Sequence, residues 1–158
     1  MLVRDIIREP NQLRQQQGLL SQEMHRDSTH LADLRLALKA YVDNSTLLRF
    51  HRSRFVELLT RLRDQLAIHF TLKQVGGYLG EVVQKDPRLS EPAEKLRADH
   101  PQLFQMVCEL VDQVEEAASG RAAQRRLPKL LKKLDKFECA LQLHEEQEKE
   151  LVFESVDR

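Results

Sequence analysis

The chain has 158 residues, enough for one domain with a sizeable core and short of what two ordinary domains need. Charged residues make up 32% and hydrophobic residues 41%, with five glycines and five prolines, which argues against a disordered or all-β chain and for a helix-rich one. The formal net charge is zero, so there is no global electrostatic drive toward nucleic acid or an anionic membrane, and neither is expected as a partner.

The opening MLVRDIIREP mixes Arg4, Asp5, Arg8 and Glu9 among its apolar residues and does not read as a signal peptide, and no apolar run reaches the roughly 18 residues of a membrane span. A cytoplasmic location is the expectation. Leu13, Leu20, Met24, Leu31, Leu34, Leu38 and Tyr41 recur at helical spacing and predict a first helix over roughly 11–43. The polar cluster Asp43, Asn44, Ser45, Thr46 should end it, with Ser45 or Thr46 capping the next. Phe55, Leu59, Leu62, Leu66 and His69 predict a second helix over roughly 47–75, stopped at Gly76 and Gly77. Residues 76 to 91 form a long connection that should hold a short helical piece. Leu96, His100, Leu103, Val107, Leu110 and Val114 predict a third helix over roughly 92–117, kinked near His100 by Pro101. The last seam, Leu130, Leu134, Phe137, Leu141, His144, Glu148 and Leu151 or Val152, should begin near Leu127 and Pro128. Cys108 and Cys139 lack metal-ligand spacing and read as reduced structural thiols.

Four long helices with two short links and one longer one most simply form an all-α, up-down-up-down four-helix bundle spanning residues 1–158. In an antiparallel pair, residues equidistant from the connecting loop lie level. His100 and His144 are centred on the loop from Ala118 to Arg126, and His69 and His100 on the long connection, so three seam histidines share one height. Lys73 and Glu148, each four residues beyond a seam histidine on parallel helices, are level with each other about 6 Å further along. In the first helix His25 is nearer this height. His30, next to the apolar stripe through Leu34, would lie on the order of 15 Å away.

A single histidine on an apolar face is ordinarily a hydrogen-bonded core residue. Several converging at one height are different, because burying each without a partner costs about 1–3 kcal/mol, and a metal or carboxylate network satisfies them together. Glu148 in an apolar stripe carries the same implication, since a buried carboxylate must be paired or coordinate something.

At these residues the chain resembles the hemerythrin-like family of HHE cation-binding four-helix bundles. His69-Phe70-Thr71-Leu72-Lys73-Gln74 is similar to that family's H-F-x-x-E-E signature, Leu96 to His100 to its L-R-x-E-H, and His144 to Glu148 to its H-E-x-x-E. The resemblance covers nearly the whole chain. It implies a non-haem iron centre, classically dinuclear, with His25, His69, His100, His144 and Glu148 as metal ligands and His30 as the alternate on the first helix. Lys73 and Gln74 depart from the pattern and leave the second helix without a motif carboxylate, while Phe104 replaces a possible second histidine on the third.

A bridging carboxylate replaced by an ammonium changes the local charge by two units against two metals. Three outcomes are open: Lys73 takes the second-metal position and pairs with Glu148 in a metal-free bundle; one ion persists on His69, His100, His144 and Glu148 with Lys73 swung outward; or Glu81 or Glu145 rescues a two-metal site. The expected function is a metal-binding or sensing module for iron and a small ligand such as O2 or NO. A metal-free protein-interaction domain is the alternative, and a peroxide- or NO-handling enzyme comes third because it needs the missing bridge. The basic run Arg121, Arg125, Arg126, Lys129, Lys132, Lys133, Lys136 should be balanced by Glu109, Asp112, Glu115 and Glu116.

Overall fold

In the computed structural model, which describes residues 10–156, the described chain is almost entirely helical, with short links between the helices. The elements are α1 (Pro10–Asp43), α2 (Leu47–Phe50), α3 (Arg52–Val75), α4 (Tyr78–Lys85), a 3-10 turn (Pro87–Leu89), α5 (Ser90–Ala118) and α6 (Ala123–Val156). Four of them, α1, α3, α5 and α6, are the staves of the all-α bundle, in which α1 packs on α3 and α6, and α5 packs on α3 and α6. The short α4 closes one end, against α5, α6 and the 3-10 turn. Among the described residues no helix is long and apolar enough to cross a membrane.

The apolar seams fill the bundle in two clusters. The larger contains Leu31, Leu34 and Leu38 of α1, Phe55, Leu59, Leu62 and Leu66 of α3, Val107 and Val111 of α5, and Leu134, Phe137 and Leu141 of α6. Burying each such side chain contributes about 1.5–3 kcal/mol. Tyr41 and Phe55 meet inside it with ring centroids 5.1 Å apart. The smaller cluster, Leu79, Val82, Leu89, Ala93, Leu96 and Leu151, lies under α4. Along α5, His100 falls between Leu96 of the small cluster and Leu103 of the large one; along α6, His144 and Glu148 fall between Leu141 and Leu151. The polar side chains therefore form a layer with an apolar seal on both sides.

Several boundaries differ from the periodicity reading. The expected second helix is interrupted at His51, whose backbone (φ −132°, ψ 36°) is not helical, and neither Ser45 nor Thr46 makes a capping bond: the Thr46 hydroxyl donates to Asn44 Oδ1 instead. The stop after Val75 is as expected, with Gly77 at φ +63°, a conformation favouring glycine. Helix α5 continues through Pro101 as expected, without the hydrogen bond that the proline nitrogen cannot donate. Helix α6 starts at Ala123, so Pro128 lies inside it rather than at its first turn. The N-terminal half of the α1 stripe is not core: Leu13 is 48% exposed, and burial begins at Asp27 and Leu31.

Candidate metal centre

Helices α5 and α6 supply the centre. His144 and Glu148 are one turn apart on α6, and His100 faces them from α5; all three are buried. The Nε2 atoms of His100 and His144 are 3.1 Å apart, and His100 Nε2 is 3.3 Å from Glu148 Oε1. His144 Nε2 also contacts that same Oε1. One ligand atom from each of the three residues lies within 4.8 Å of the others. The other nitrogen of His144, Nδ1, is 3.1 Å from Asp99 Oδ2, which orients the ring from outside. His100 has no such partner. Its Nδ1 is buried without a hydrogen bond, and the ring is held by stacking on Phe70, centroids 4.6 Å apart.

The second oxygen of Glu148, Oε2, accepts from the Lys73 ammonium of α3, which also lies 5.2 Å from the centre of the Tyr78 ring. Burial acts to raise the Glu148 pKa, but bonds from His100 and His144 and the Lys73 charge outweigh it and hold the carboxyl well below its ordinary range. Burial acts to lower the His144 pKa, and the bonds to Glu148 and Asp99 overcome it, so the pKa is raised. The Lys73 ammonium thus compensates the Glu148 carboxylate within the chain, while Asp99 and Glu148 favour the protonated form of His144.

His69 is not part of the cluster. Its Nδ1 bonds Asp27 Oδ2 at 2.6 Å, and Gln65 donates to the other Asp27 oxygen, also at 2.6 Å. Burial pushes the His69 pKa down, aided by the Lys73 charge and opposed by Asp27. Expected ligands on α1 are also displaced: His25 and His30 are both exposed, and Asp27 is the α1 side chain facing inward. Asp27 precedes Leu31 by four residues and Leu34 by seven, so it belongs to the buried stripe, whereas His25 lies on another face of the helix. That spacing was the available signal for Asp27. Asp99 sits beside a seam histidine with no periodic mark of its own.

The carboxylates considered as substitutes are elsewhere. Glu81 is exposed. Glu145 is held by Arg35 at 2.5 Å, and the same guanidinium bonds Glu138, also at 2.5 Å, tying α1 to α6. Lys73 points inward, with its ammonium on Glu148 rather than swung outward.

The three convergent donors suit one ion. Ligand atoms bonded to a common metal at about 2.0–2.2 Å lie about 2.9–3.5 Å apart when adjacent; His100 Nε2 meets this with both other donors, at 3.1 and 3.3 Å, whereas His144 Nε2 and Glu148 Oε1 are in direct contact and must part to share an ion. Two imidazoles and a carboxylate match iron, zinc and related divalent ions. The orphaned His100 Nδ1 works against affinity, because the tautomer that frees Nε2 for a metal leaves a buried N–H unpaired at a cost of about 1–3 kcal/mol. Beside the donors is a cavity of about 40 Å³ lined by Lys73, Tyr78, Arg97, His100 and Glu148, room for a ligand of a few atoms.

The sequence profile described as the hemerythrin HHE cation-binding domain matches residues 19–156. No curated protein and no solved structure matches the chain.

Proposed function

The chain belongs to the hemerythrin HHE cation-binding domain family, and from that premise we propose that it is a module for a single non-haem iron ion and a small ligand such as O2 or NO. The observation that carries this reading is the division of labour at Glu148: Oε1 faces His100 and His144, while Oε2 is taken by Lys73. His100, His144 and Glu148 would hold the ion, and the Lys73 ammonium stands on the carboxylate oxygen that a second ion would need. Bound iron supplies open coordination positions and a redox couple. Asp99 fixes the His144 tautomer with Nε2 inward, Phe70 fixes the plane of His100, and the two apolar clusters exclude bulk water. The 40 Å³ cavity beside Lys73 and Tyr78 limits a ligand to a few atoms.

Metal analysis of the protein purified under reducing, iron-supplied conditions tests this. Close to one iron per chain, lost in His144→Ala, is expected; fewer than about 0.2 metal ions per chain would sink the proposal. A metal-free interaction domain is the second reading, and the internal compensation of the Glu148 carboxylate by the Lys73 ammonium favours it. Near-stoichiometric iron on native protein would eliminate that alternative.

A further inference from the structure

At the end of the bundle remote from the metal donors, a group of arginines makes no ion pair among the described residues. Elsewhere arginines are ion-paired, from Arg26 and Arg35 on α1 through Arg54, Arg61 and Arg63 on α3 to Arg97 on α5. Arg49, Arg52, Arg121, Arg125 and Arg126 have no carboxylate within 4.0 Å among the described residues, and apart from Arg14 on the exposed start of α1 they are the exceptions in that set. The compensation expected from Glu109, Asp112, Glu115 and Glu116 is not made through ion pairs: Lys133 bonds the Gln113 amide and Glu109 accepts from Gln105. Cations at the start of α6 oppose the helix dipole, so this placement does not serve helix stability.

Two of these arginines, Arg49 and Arg52, line a formed cleft of about 270 Å³ between the α1–α3 connection and the start of α6. Arg49 and Arg52 line it together with the Ser45 hydroxyl and the Gln124 amide, over an apolar floor that includes Leu48 and Leu127. By helix rise it is about 25–30 Å from the metal donors. Two guanidiniums, a hydroxyl and an amide present more donors than a two-oxygen carboxylate accepts, and the surplus of cations suits a dianion. The floor suits a compact apolar group, and the volume sits just below the usual range for small-molecule sites. We propose that this cleft binds a phosphomonoester bearing a small apolar group, the phosphate between Arg49 and Arg52 and the apolar group on Leu48 and Leu127.

Calorimetric titration of the full chain with phenyl phosphate tests the proposal. Saturable binding of one molecule per chain with a sub-millimolar Kd is expected, weakened about tenfold or more in Arg49→Gln and in Arg52→Gln. Benzoate, with the same ring and a two-oxygen monoanion, should bind about tenfold more weakly, and Lys132→Gln, a cation outside the cleft, should leave the affinity within about twofold. Absence of saturation at about 5 mM overturns the proposal, as does benzoate binding equally well or Lys132→Gln losing as much as the arginine variants. Circular dichroism checks folding; should an arginine variant unfold, Gln124→Glu, which places a carboxylate at the rim, must produce the same loss. Tighter association with phosphatidic acid vesicles than with phenyl phosphate would overturn a free phosphomonoester as the ligand.

Discussion

The Lys73 ammonium of α3 bonds Oε2 of Glu148 on α6, so a carboxylate in the middle of the bundle has a fixed cation on one oxygen and two imidazoles on the other. Glu148 is 2% exposed, and leaving it unpaired would cost several kcal/mol. The lysine therefore supplies, within the chain, part of the positive charge that ions supply in a two-metal centre.

Lys73→Glu returns a carboxylate to the second-helix motif. Metal content measured by plasma emission spectrometry should rise from about one ion per chain toward two. An unchanged stoichiometry would mean that His69, turned toward Asp27, is no longer available to a second ion.

Lys73→Met keeps the length of the side chain and removes its charge. In the chelator-treated protein, urea unfolding should report a loss of about 2–4 kcal/mol, at the lower side of a fully buried pair because Lys73 retains 17% exposure. A change below about 0.5 kcal/mol would place the pair with ordinary surface salt bridges.

Asp99→Asn leaves the fold intact and weakens the hydrogen bond that orients His144. Iron affinity from competition with a chromogenic chelator should fall about 10–100-fold, with the melting temperature of the metal-free protein little changed. Equal affinity in the two proteins would refute the orienting role.

On α1, Asp27→Ala strips the partner from both His69 and Gln65 and should cost about 2–3 kcal/mol, whereas His25→Ala should stay within about 0.5 kcal/mol. Comparable losses for the two would contradict the inward placement of Asp27.

The metal-free protein should have an acid limb that depends on Glu148. An unfolded glutamate titrates near about pH 4.3. Its folded value is lower, so the stabilisation is present above pH 4.3 and fades as pH falls toward the folded value. His144 is raised and works in the other sense: its contribution is full below about pH 6.5 and is lost as pH rises through its folded value. The joint contribution of Glu148 and His144 is thus greatest between about pH 4.3 and 6.5, while the neighbouring His69, whose pKa is lowered by burial, contributes a loss of its own as the pH falls below about 6.5. Urea midpoints across that range should differ most between the native protein and Glu148→Gln, and parallel profiles would count against the assignment.

Periodicity located the four staves and the stop at Gly77, because a helix with one buried face writes its spacing of three and four into the sequence; distances from the loops put His69, His100 and His144 at one height with Lys73 and Glu148 a turn further on, and of these His100, His144 and Glu148 converge. The resemblance to the HHE family rested on the segments His69 to Gln74, Leu96 to His100 and His144 to Glu148. Periodicity misjudged the start of α1, where Leu13 continues the stripe but is exposed, and Leu20 and Met24, beside Gly76, are only half-buried. It also read the start of α6 four residues late, because a proline inside the first turns of a helix resembles one at its beginning.

Pairing was decided by tertiary structure. Each polar side chain of the layer had more than one partner within reach of its height. The choice of Asp27 for His69, Asp99 for His144, Arg35 for Glu145 and Lys73 for Glu148 depends on rotation about the helix axes and on side-chain direction. A sequence period specifies which face of a helix is buried, and only the packed bundle specifies which donor that face meets. The residue types at the centre were thus determined by the sequence, while their division into three convergent donors, a paired lysine and a separately held His69 was decided by the fold.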